Sequence, residues 1–211
     1  MDSKRNMINS VKKYLSIFGR IDSRIIESIK KIDRKYFVKD PQTAYLDSAI
    51  RIGEKETISQ PSTVARMLSL LELKKGQNIL EIGTGSGWNA ALIAFLVDPG
   101  KVTSLEISEE MVKFSKKNIK VAGIKNIRII RKNFKDAESK FDRIVFSAGT
   151  GKAEEKEIEK FGKLHLKNKG IMLFPMERGP IIILKKKGKS ITKSYTPESY
   201  FFVPLREWEN F

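Results

Sequence analysis

The segment that decides the fold is NILEIGTGSG at residues 78–87, an apolar run that ends in a glycine-rich turn. Residues Asn78–Ile82 are predicted to form a strand, and the apolar residues after Gly87 follow the spacing of a helix. A doubly wound α/β sheet binds its ligand at such a turn between a strand and a helix. Because glycine tolerates positive φ angles and has no side chain, the backbone can approach that ligand closely. The segment therefore predicts an α/β sheet with a cofactor site at this turn.

The spacing of the glycines distinguishes between classes of cofactor. The dinucleotide fingerprint G-x-G-x-x-G, counted from Gly83, would place its third glycine where this chain has Trp88. Counted from Gly85, it would place that glycine at Ala90, and alanine is sometimes accepted there. A nicotinamide cofactor is therefore disfavoured but not excluded. The turn also lacks the Lys-Ser or Lys-Thr pair that follows the glycines of a nucleoside-triphosphate P-loop.

Three polar residues complete the predicted cofactor site. Glu81 would place a carboxylate beside a cationic ligand. Glu106 ends the next predicted strand, about 20 residues past the turn, where an acidic residue accepts hydrogen bonds from ribose hydroxyls. Asn133 follows the third predicted strand, where a polar side chain could hold adenine. An acidic residue, a glycine turn and a second acidic strand end resemble the pattern of class I S-adenosylmethionine methyltransferases.

Strands alternate with helices along most of the chain. Strands are predicted at 78–82, 101–107, 127–130, 141–147, 170–175, 180–186 and 200–205, and helices at 5–18, from Ser23, from Pro61 to Gly76, after Gly87, at 109–122 and at 153–165. The alternation predicts a Rossmann-like, doubly wound, mostly parallel sheet with helices on both faces. The late strands follow one another without helices, which predicts partly antiparallel C-terminal strands. We expect one compact unit, in which N-terminal helices and an active-site loop (1–60) pack on a cofactor-binding core (61–211).

Composition excludes several classes of protein. The 211 residues include no cysteine, which excludes a disulfide framework, cysteine-ligated metal sites and a cysteine nucleophile. No stretch approaches the ~20 apolar residues that cross a bilayer, and no secretory signal is evident. We therefore expect a cytoplasmic protein with no membrane partner. Carboxylates and histidines do not cluster as metal ligands do, and the single histidine, His165, is interpreted as a structural or surface residue and not as a catalytic base.

The net charge of +16 raises the prospect of a nucleic-acid partner. The excess is spread thinly, with 11 basic and 6 acidic residues in 1–50 but 5 of each in 51–100, which contains the glycine turn. The dense run at 185–189 is predicted to form a hairpin turn. A solvated lysine surface is the favoured interpretation, and nucleic acid stays an alternative partner.

Two short segments identify a narrower family. TISQP at residues 57–61 directly precedes the helix that leads into the glycine strand, and FVPL stands at 202–205. With these segments the chain resembles protein-L-isoaspartate O-methyltransferases from about Arg24 to Pro175 and again at 202–205. Further matching residues are Arg34, Tyr36-Phe37-Val38, Ala44-Tyr45, Asp47, Ile52-Gly53 and Ala90-Ala91.

The resemblance implies an activity and a set of site residues. The enzyme would transfer a methyl group from S-adenosylmethionine to the free carboxylate of L-isoaspartyl residues in damaged proteins, leaving S-adenosylhomocysteine. Thr57 and Ser59 would lie at the active site, with the Ser59 hydroxyl near the acceptor carboxylate. The substrate would contact Ile58, Gln60 and Val203. The cofactor would contact Glu81, Gly83, Thr84, Gly85, Ser86, Gly87, Glu106, Ile107 and Asn133.

The sequence departs from the family pattern at 131–134 and at 147–152. Asn133-Phe134 stands where the family has aspartate and glycine, and SAGTGK replaces an alanine-rich turn that leads to proline. These segments are predicted to line the cofactor and acceptor walls. Two alternatives therefore stay open, namely an RNA (tRNA or rRNA) methyltransferase on the same fold and a non-catalytic relative that binds S-adenosylmethionine.

Overall fold

The structure, a computed structural model, describes residues 3–206, which form six α-helices and eleven β-strands. The helices are α1 (Ser3–Ser16), α2 (Ser23–Lys31), α3 (Pro61–Leu71), α4 (Trp88–Val97), α5 (Glu109–Val121) and α6 (Glu155–His165). The strands are β1 (Ile50–Arg51), β2 (Thr57–Ile58), β3 (Ile79–Ile82), β4 (Val102–Glu106), β5 (Ile127–Arg131), β6 (Phe141–Phe146), β7 (Leu166–Pro175), β8 (Arg178–Gly179), β9 (Ile181–Lys187), β10 (Ser190–Tyr195) and β11 (Tyr200–Phe201).

Seven strands form the central sheet, in the order β10-β9-β7-β6-β3-β4-β5. The pairs from β7 through β6, β3 and β4 to β5 are parallel, whereas β9 pairs antiparallel with both β7 and β10. This arrangement confirms the predicted doubly wound, mostly parallel sheet with antiparallel C-terminal strands. The chain runs from β3 to β4 and β5 on one side and then to β6 and β7 on the other. A ligand crevice is therefore expected at the carboxyl end of β3.

Apolar side chains pack on both faces of this sheet. One cluster joins the sheet to α1, α2, α3, α4 and α5, and it includes Phe37 and Trp88, which are almost completely buried. The second cluster lies beneath α6, where Phe134, Phe146 and Phe161 meet edge to face with ring centroids 5.3 to 6.1 Å apart. Helices therefore cover both faces, and the polar crevice is left at the strand ends.

The helix starts follow directly from the sequence. The Asp22 carboxylate accepts a hydrogen bond from the Arg24 N–H (3.0 Å) and caps α2. Ser108 caps α5 by accepting a hydrogen bond from the Met111 N–H at 3.3 Å. Pro61 is the first residue of α3, where the missing N–H of proline leaves no helical hydrogen bond unmade.

Two boundary predictions are wrong. Helix α3 ends at Leu71 rather than at Gly76, because Glu72 adopts a left-handed conformation (φ 50°) and terminates it. The strand predicted at 200–205 does not join the central sheet, because its only strand, Tyr200–Phe201, pairs with β8, and Pro204 makes an isolated bridge to Gly149. The last strand of the sheet is β10, whose side chains are mostly exposed and so give no apolar signal.

Three observations on the described part of the chain concern other kinds of site. None of its helices is long and apolar enough to span a membrane. No three of its histidine, aspartate or glutamate side chains cluster as metal ligands would. The His165 ring stacks on Phe161 with centroids 4.4 Å apart, and its Nδ1 lies 2.9 Å from the Ser139 carbonyl oxygen.

Candidate active site

The glycine turn lies at the carboxyl end of β3 and leads directly into α4. Gly83, Gly85 and Gly87 all have positive φ angles, of 87°, 51° and 86°. A methyl group added at Gly83 or Gly85 would meet no atom nearer than 3.8 Å, so the space in front of these two residues is open to a ligand. At Gly87 the same group would lie 3.3 Å from Ser115 Cβ. The third glycine therefore permits close packing against α5.

Glu81 is completely buried immediately before this turn. Its Oε2 accepts a hydrogen bond from Ser104 Oγ at 2.5 Å, and its Oε1 accepts hydrogen bonds from Asn89 Nδ2 at 2.9 Å and Ser147 Oγ at 3.2 Å. Burial raises the pKa of this carboxyl group to about 7, although the three hydrogen bonds oppose that shift. Three hydrogen-bond donors thus fix the position of the Glu81 carboxyl group, and its pKa lies near neutrality.

Glu106 joins the end of β4 to the glycine turn. Its Oε2 accepts a hydrogen bond from the Gly85 N–H at 2.9 Å. Its Oε1 accepts hydrogen bonds from the N–H groups of Ile107 and Ser108, at 2.9 and 3.0 Å. The side chain is only 8% exposed. This geometry holds a carboxylate against the turn at the strand end where the sequence predicts a ribose-binding acid.

Two connected clefts surround the turn. The cofactor cleft is lined by Lys55, Glu56, Thr57, Ile82, Gly83, Gly85, Leu105, Glu106, Ile107, Ser108, Lys132, Phe134, Ser147, Ala148, Val203, Pro204, Leu205 and Arg206. The inner cleft is lined by Thr57, Ile58, Ser59, Val64, Met67, Glu81, Gly83, Thr84, Gly85, Ser86, Trp88, Asn89 and Ser147. Gly83, Gly85, Thr57 and Ser147 line both, so the two clefts meet at the glycine turn.

S-adenosylmethionine fits the residues of these clefts. Glu106 offers a carboxylate for ribose hydroxyls, and the apolar side chains of Leu105, Ile107 and Phe134 offer walls for a flat base. The positive-φ glycines leave room for the backbone to approach the ligand. Glu81 offers an acidic group on the inner side for the cationic end.

Asn133 lies at the border of the cofactor cleft. Its Oδ1 accepts a hydrogen bond from the Lys135 N–H at 3.0 Å and caps the short 3₁₀ turn Phe134–Asp136. Its two neighbours, Lys132 and Phe134, line the cleft. A contact between Asn133 and adenine stays a prediction.

The outer groove adjoins the two clefts on the side of the TISQP segment. It is lined by Ala49, Thr57, Ser59, Gln60, Thr63, Ser199, Tyr200, Phe201, Phe202, Val203 and Pro204. Thr57 lines this groove and both clefts, and Ser59 lines the groove and the inner cleft. The structure therefore brings Thr57 to the junction of all three spaces and Ser59 to the junction of the outer groove and the inner cleft.

The other predicted substrate residues occupy different positions around that junction. Gln60 lines the outer groove, Val203 lines the groove and the cofactor cleft, and Ile58 is buried in the wall of the inner cleft. An ion pair between Glu56 and Arg206 joins the β1–β2 loop to the C-terminal segment at the rim of the cofactor cleft.

Sequence reasoning missed three residues that hold Glu81, namely Asn89, Ser104 and Ser147. Asn89 carried a usable signal, because it is a polar residue in the otherwise apolar helix α4 (WNAALIAFLV). Ser104 carried none, because it is one residue in the middle of β4, and Ser147 was noted only as the start of the segment 147–152 that departs from the family pattern. Only the sheet topology brings them to Glu81.

Comparison with known proteins agrees with this geometry. Residues 2–210 match the family model described as protein-L-isoaspartate(D-aspartate) O-methyltransferase (PCMT). A protein-L-isoaspartate O-methyltransferase of Fervidobacterium nodosum is 39% identical over 184 residues, which cover 84% of this chain and 89% of that protein. One from Thermosipho melanesiensis is 35% identical over 202 residues, covering 92% of this chain and 98% of that protein.

Two solved structures share the fold over nearly the whole chain. A structure named protein-L-isoaspartate O-methyltransferase superposes with a TM-score of 0.81 at 25% identity, covering 97% of this chain and 66% of that longer chain. A putative enzyme of the same name from Plasmodium falciparum, solved with S-adenosyl-L-homocysteine, has a TM-score of 0.82 at 24% identity and covers 98% of this chain and 99% of that one. The match over nearly the whole sequence shows that this chain belongs to the protein-L-isoaspartate(D-aspartate) O-methyltransferase family.

Proposed function

We propose that this chain transfers the methyl group of S-adenosylmethionine to the free carboxylate of L-isoaspartyl residues in proteins. The observation that carries the proposal is the position of Thr57, which lines the cofactor cleft, the inner cleft and the outer groove at once. A polypeptide in the outer groove can present a carboxylate to the inner cleft at this point. The backbone nitrogen of the following residue can attack the carbonyl carbon of the resulting methyl ester, which releases methanol and forms a succinimide that water then opens to aspartate or isoaspartate.

The chemistry makes few demands on the protein. S-adenosylmethionine supplies a methyl group on a positively charged sulfur, which is already electrophilic. The acceptor carboxylate is an anion at neutral pH, so it attacks without losing a proton and no general base is needed. The protein therefore contributes mainly by holding donor and acceptor in line, and such proximity can supply several kcal/mol.

Ser59 is the proposed orienting group for the acceptor. It follows β2 directly and lines the wall shared by the outer groove and the inner cleft. Its hydroxyl can donate one hydrogen bond to the isoaspartyl carboxylate, fixing which oxygen lone pair faces the methyl group. Thr57 and Val203 form the adjoining walls, where they limit how the substrate backbone can enter.

The activity is tested with two peptides of the same sequence, one containing L-isoaspartate and the other L-aspartate. The peptides are incubated with methyl-labelled S-adenosylmethionine. Only the isoaspartyl peptide is expected to gain a base-labile methyl ester, because only L-isoaspartate carries its free carboxylate on the α-carbon. Label on neither peptide, with cofactor binding demonstrated, would contradict the proposal. Label on structured RNA in the same assay would then identify the acceptor.

Ser59→Ala is expected to lower the rate of methyl transfer by about tenfold to a hundredfold, since a hydrogen bond to a charged group contributes about 1.5–3 kcal/mol. The affinity for S-adenosylhomocysteine should stay close to that of the unaltered protein. Ser190→Ala, at an exposed serine in β10, is the matched control and should change neither quantity. Equal rates for the two variants would show that Ser59 does not orient the acceptor.

A nucleic-acid acceptor is the second candidate, and one observation favours it. Helix α5 exposes four lysines at helical spacing i, i+3, i+4 and i+7, which forms a basic stripe. The lysines are Lys113, Lys116, Lys117 and Lys120, and the first of them pairs with Glu109 at 2.6 Å. Binding through this stripe would weaken steeply as salt concentration rises.

A further inference from the structure

Arg34 is a buried cation, and the carboxylate of Asp47 is an opposite charge nearby that favours its charged form. The side chain is 0% exposed, and burial lowers the pKa of its guanidinium to about 10, so it stays charged at neutral pH. Its two terminal nitrogens donate four hydrogen bonds, all to backbone carbonyl oxygens. Burying a charge is costly unless hydrogen bonds compensate for lost water, so these four bonds should be strong constraints on the carbonyls that accept them.

The four carbonyls lie along the segment that leads to the acceptor site. One nitrogen donates to the carbonyls of Ala44 (2.8 Å) and Leu46 (3.1 Å). The other donates to the carbonyls of Ser48 and Ser59, both at 3.1 Å. A single side chain thus fixes the start of the segment and its end at the proposed orienting serine.

The same guanidinium also contacts the cofactor side of the site. Its central carbon lies 5.3 Å from the ring centroid of Trp88, the first residue of α4 after the glycine turn. Trp88 is itself held, because its indole N–H donates to the Ile32 carbonyl oxygen at 3.2 Å. Arg34 therefore lies between the segment that ends at Ser59 and the helix that begins at the cofactor turn.

We propose that Arg34 is a positioning residue for methyl transfer, which fixes the backbone of Ser59 relative to the glycine turn. The expected effect on the rate rests on the proposed function. The effect of Arg34 on the position of the segment that ends at Ser59 can be measured separately, by limited proteolysis. Since a misplacement of about 1 Å can cost a hundredfold in rate, a loosened Ser59 should lower kcat.

Arginine is required for this role by geometry. Its planar guanidinium presents five donors in a fixed fork, whereas the ammonium of lysine is a compact charge with three donors. Lysine at position 34 can keep the charge and reach some of the carbonyls, but it cannot bridge Ala44 and Ser59 in the same way. We therefore expect Arg34→Lys to retain part of the function and Arg34→Met to retain less.

Arg143 provides a matched control within the same fold. It is also buried (5% exposed) and donates to four backbone carbonyls, those of Leu71, Glu72, Asp142 and Lys169. Arg143 lies near the start of β6, at the end of the sheet opposite the glycine turn. Its replacement should cost folding stability of the same kind without moving Ser59.

The test compares Arg34→Lys and Arg34→Met with Arg143→Lys and Arg143→Met in the full chain, at a temperature where each is folded. For Arg34→Lys we expect kcat on the isoaspartyl peptide to fall about tenfold, and for Arg34→Met about a hundredfold. Both Arg143 variants should keep kcat within a factor of about two, although they unfold at lower denaturant concentrations. If Arg34→Met does not fold, the lysine pair decides the comparison.

Limited proteolysis gives a readout that does not depend on activity. Trypsin cleaves after Arg51 and Lys55, two exposed residues between Ser48 and Ser59. Cleavage there should be several times faster in the Arg34 variants than in the Arg143 variants under native conditions. Equal cleavage and equal kcat in the two sets would overturn the proposal. If the unaltered protein does not methylate the peptide, the proposed function fails, and the cleavage rates alone decide whether Arg34 holds the segment.

Discussion

Glu106→Ala is expected to weaken the binding of S-adenosylhomocysteine by about a hundredfold. Two ribose hydroxyls donating to this carboxylate would contribute about 3 kcal/mol together, since hydrogen bonds to charged groups contribute about 1.5–3 kcal/mol each. The variant also loses the acceptor for the N–H groups of Gly85, Ile107 and Ser108, so the turn itself should loosen. Isothermal titration calorimetry measures the dissociation constant directly.

Two further variants separate the ribose contact from the support of the turn. Glu106→Gln keeps the shape of the side chain but removes its charge and one acceptor oxygen. Its affinity for S-adenosylhomocysteine should therefore lie between those of the unaltered protein and Glu106→Ala. Glu110→Ala removes an exposed glutamate four residues further on, where it pairs with Lys39 at 3.3 Å. It should bind the ligand as tightly as the unaltered protein. Tight binding by Glu106→Ala would exclude the ribose contact.

The features that the sequence predicts correctly are local ones. The strand Ile79–Ile82, the glycine turn and the start of α4 are encoded within about a dozen consecutive residues, by apolar character, glycine and helical spacing. The doubly wound sheet follows because such units alternate and connect with one handedness. The position of Glu106 at the strand end was predictable because it depends only on where β4 stops.

The features that sequence reasoning missed depend on residues far apart in the chain. Arg34 was noted only as a residue that matches the family, without a role, and only the folded structure shows that its donors reach the carbonyls of Ala44 and Ser59. The segment 200–205 was predicted as a strand because it is apolar and aromatic. In the structure only its first two residues pair with β8. The segment lines the outer groove and the cofactor cleft, where apolar side chains face a ligand space rather than a core.

Glu81 is expected to make the stability of the ligand-free protein depend on pH. Its pKa is about 7 in the folded protein and near its usual 4.5 in the unfolded chain, so the folded state binds the proton more tightly. Between about pH 4.5 and 7 the unfolded state ionises while the folded state stays protonated, and the free energy of unfolding therefore falls as pH rises. The loss levels off above pH 7 at about 3 kcal/mol.

Chemical denaturation at several pH values checks this expectation against Glu81→Gln. The glutamine cannot ionise, so the difference in stability between variant and unaltered protein should grow in favour of the variant from pH 5 to pH 8. Glu72→Gln, at an exposed glutamate that pairs with Lys185 at 2.6 Å, is the matched control and should not change the slope in this range.

The same titration should be coupled to cofactor binding. S-adenosylmethionine brings positive charge to a cleft that Glu81 lines, and a nearby cation favours the ionised carboxylate. Binding at pH 6 should then release up to one proton, and affinity should rise up to about tenfold per pH unit below pH 7. Calorimetry in two buffers of different ionisation enthalpy counts the proton, and Glu81→Gln should release none. If neither stability nor binding responds to Glu81, the carboxylate is already ionised in the ligand-free protein. The hydrogen bonds from Ser104, Asn89 and Ser147 would then outweigh the effect of burial.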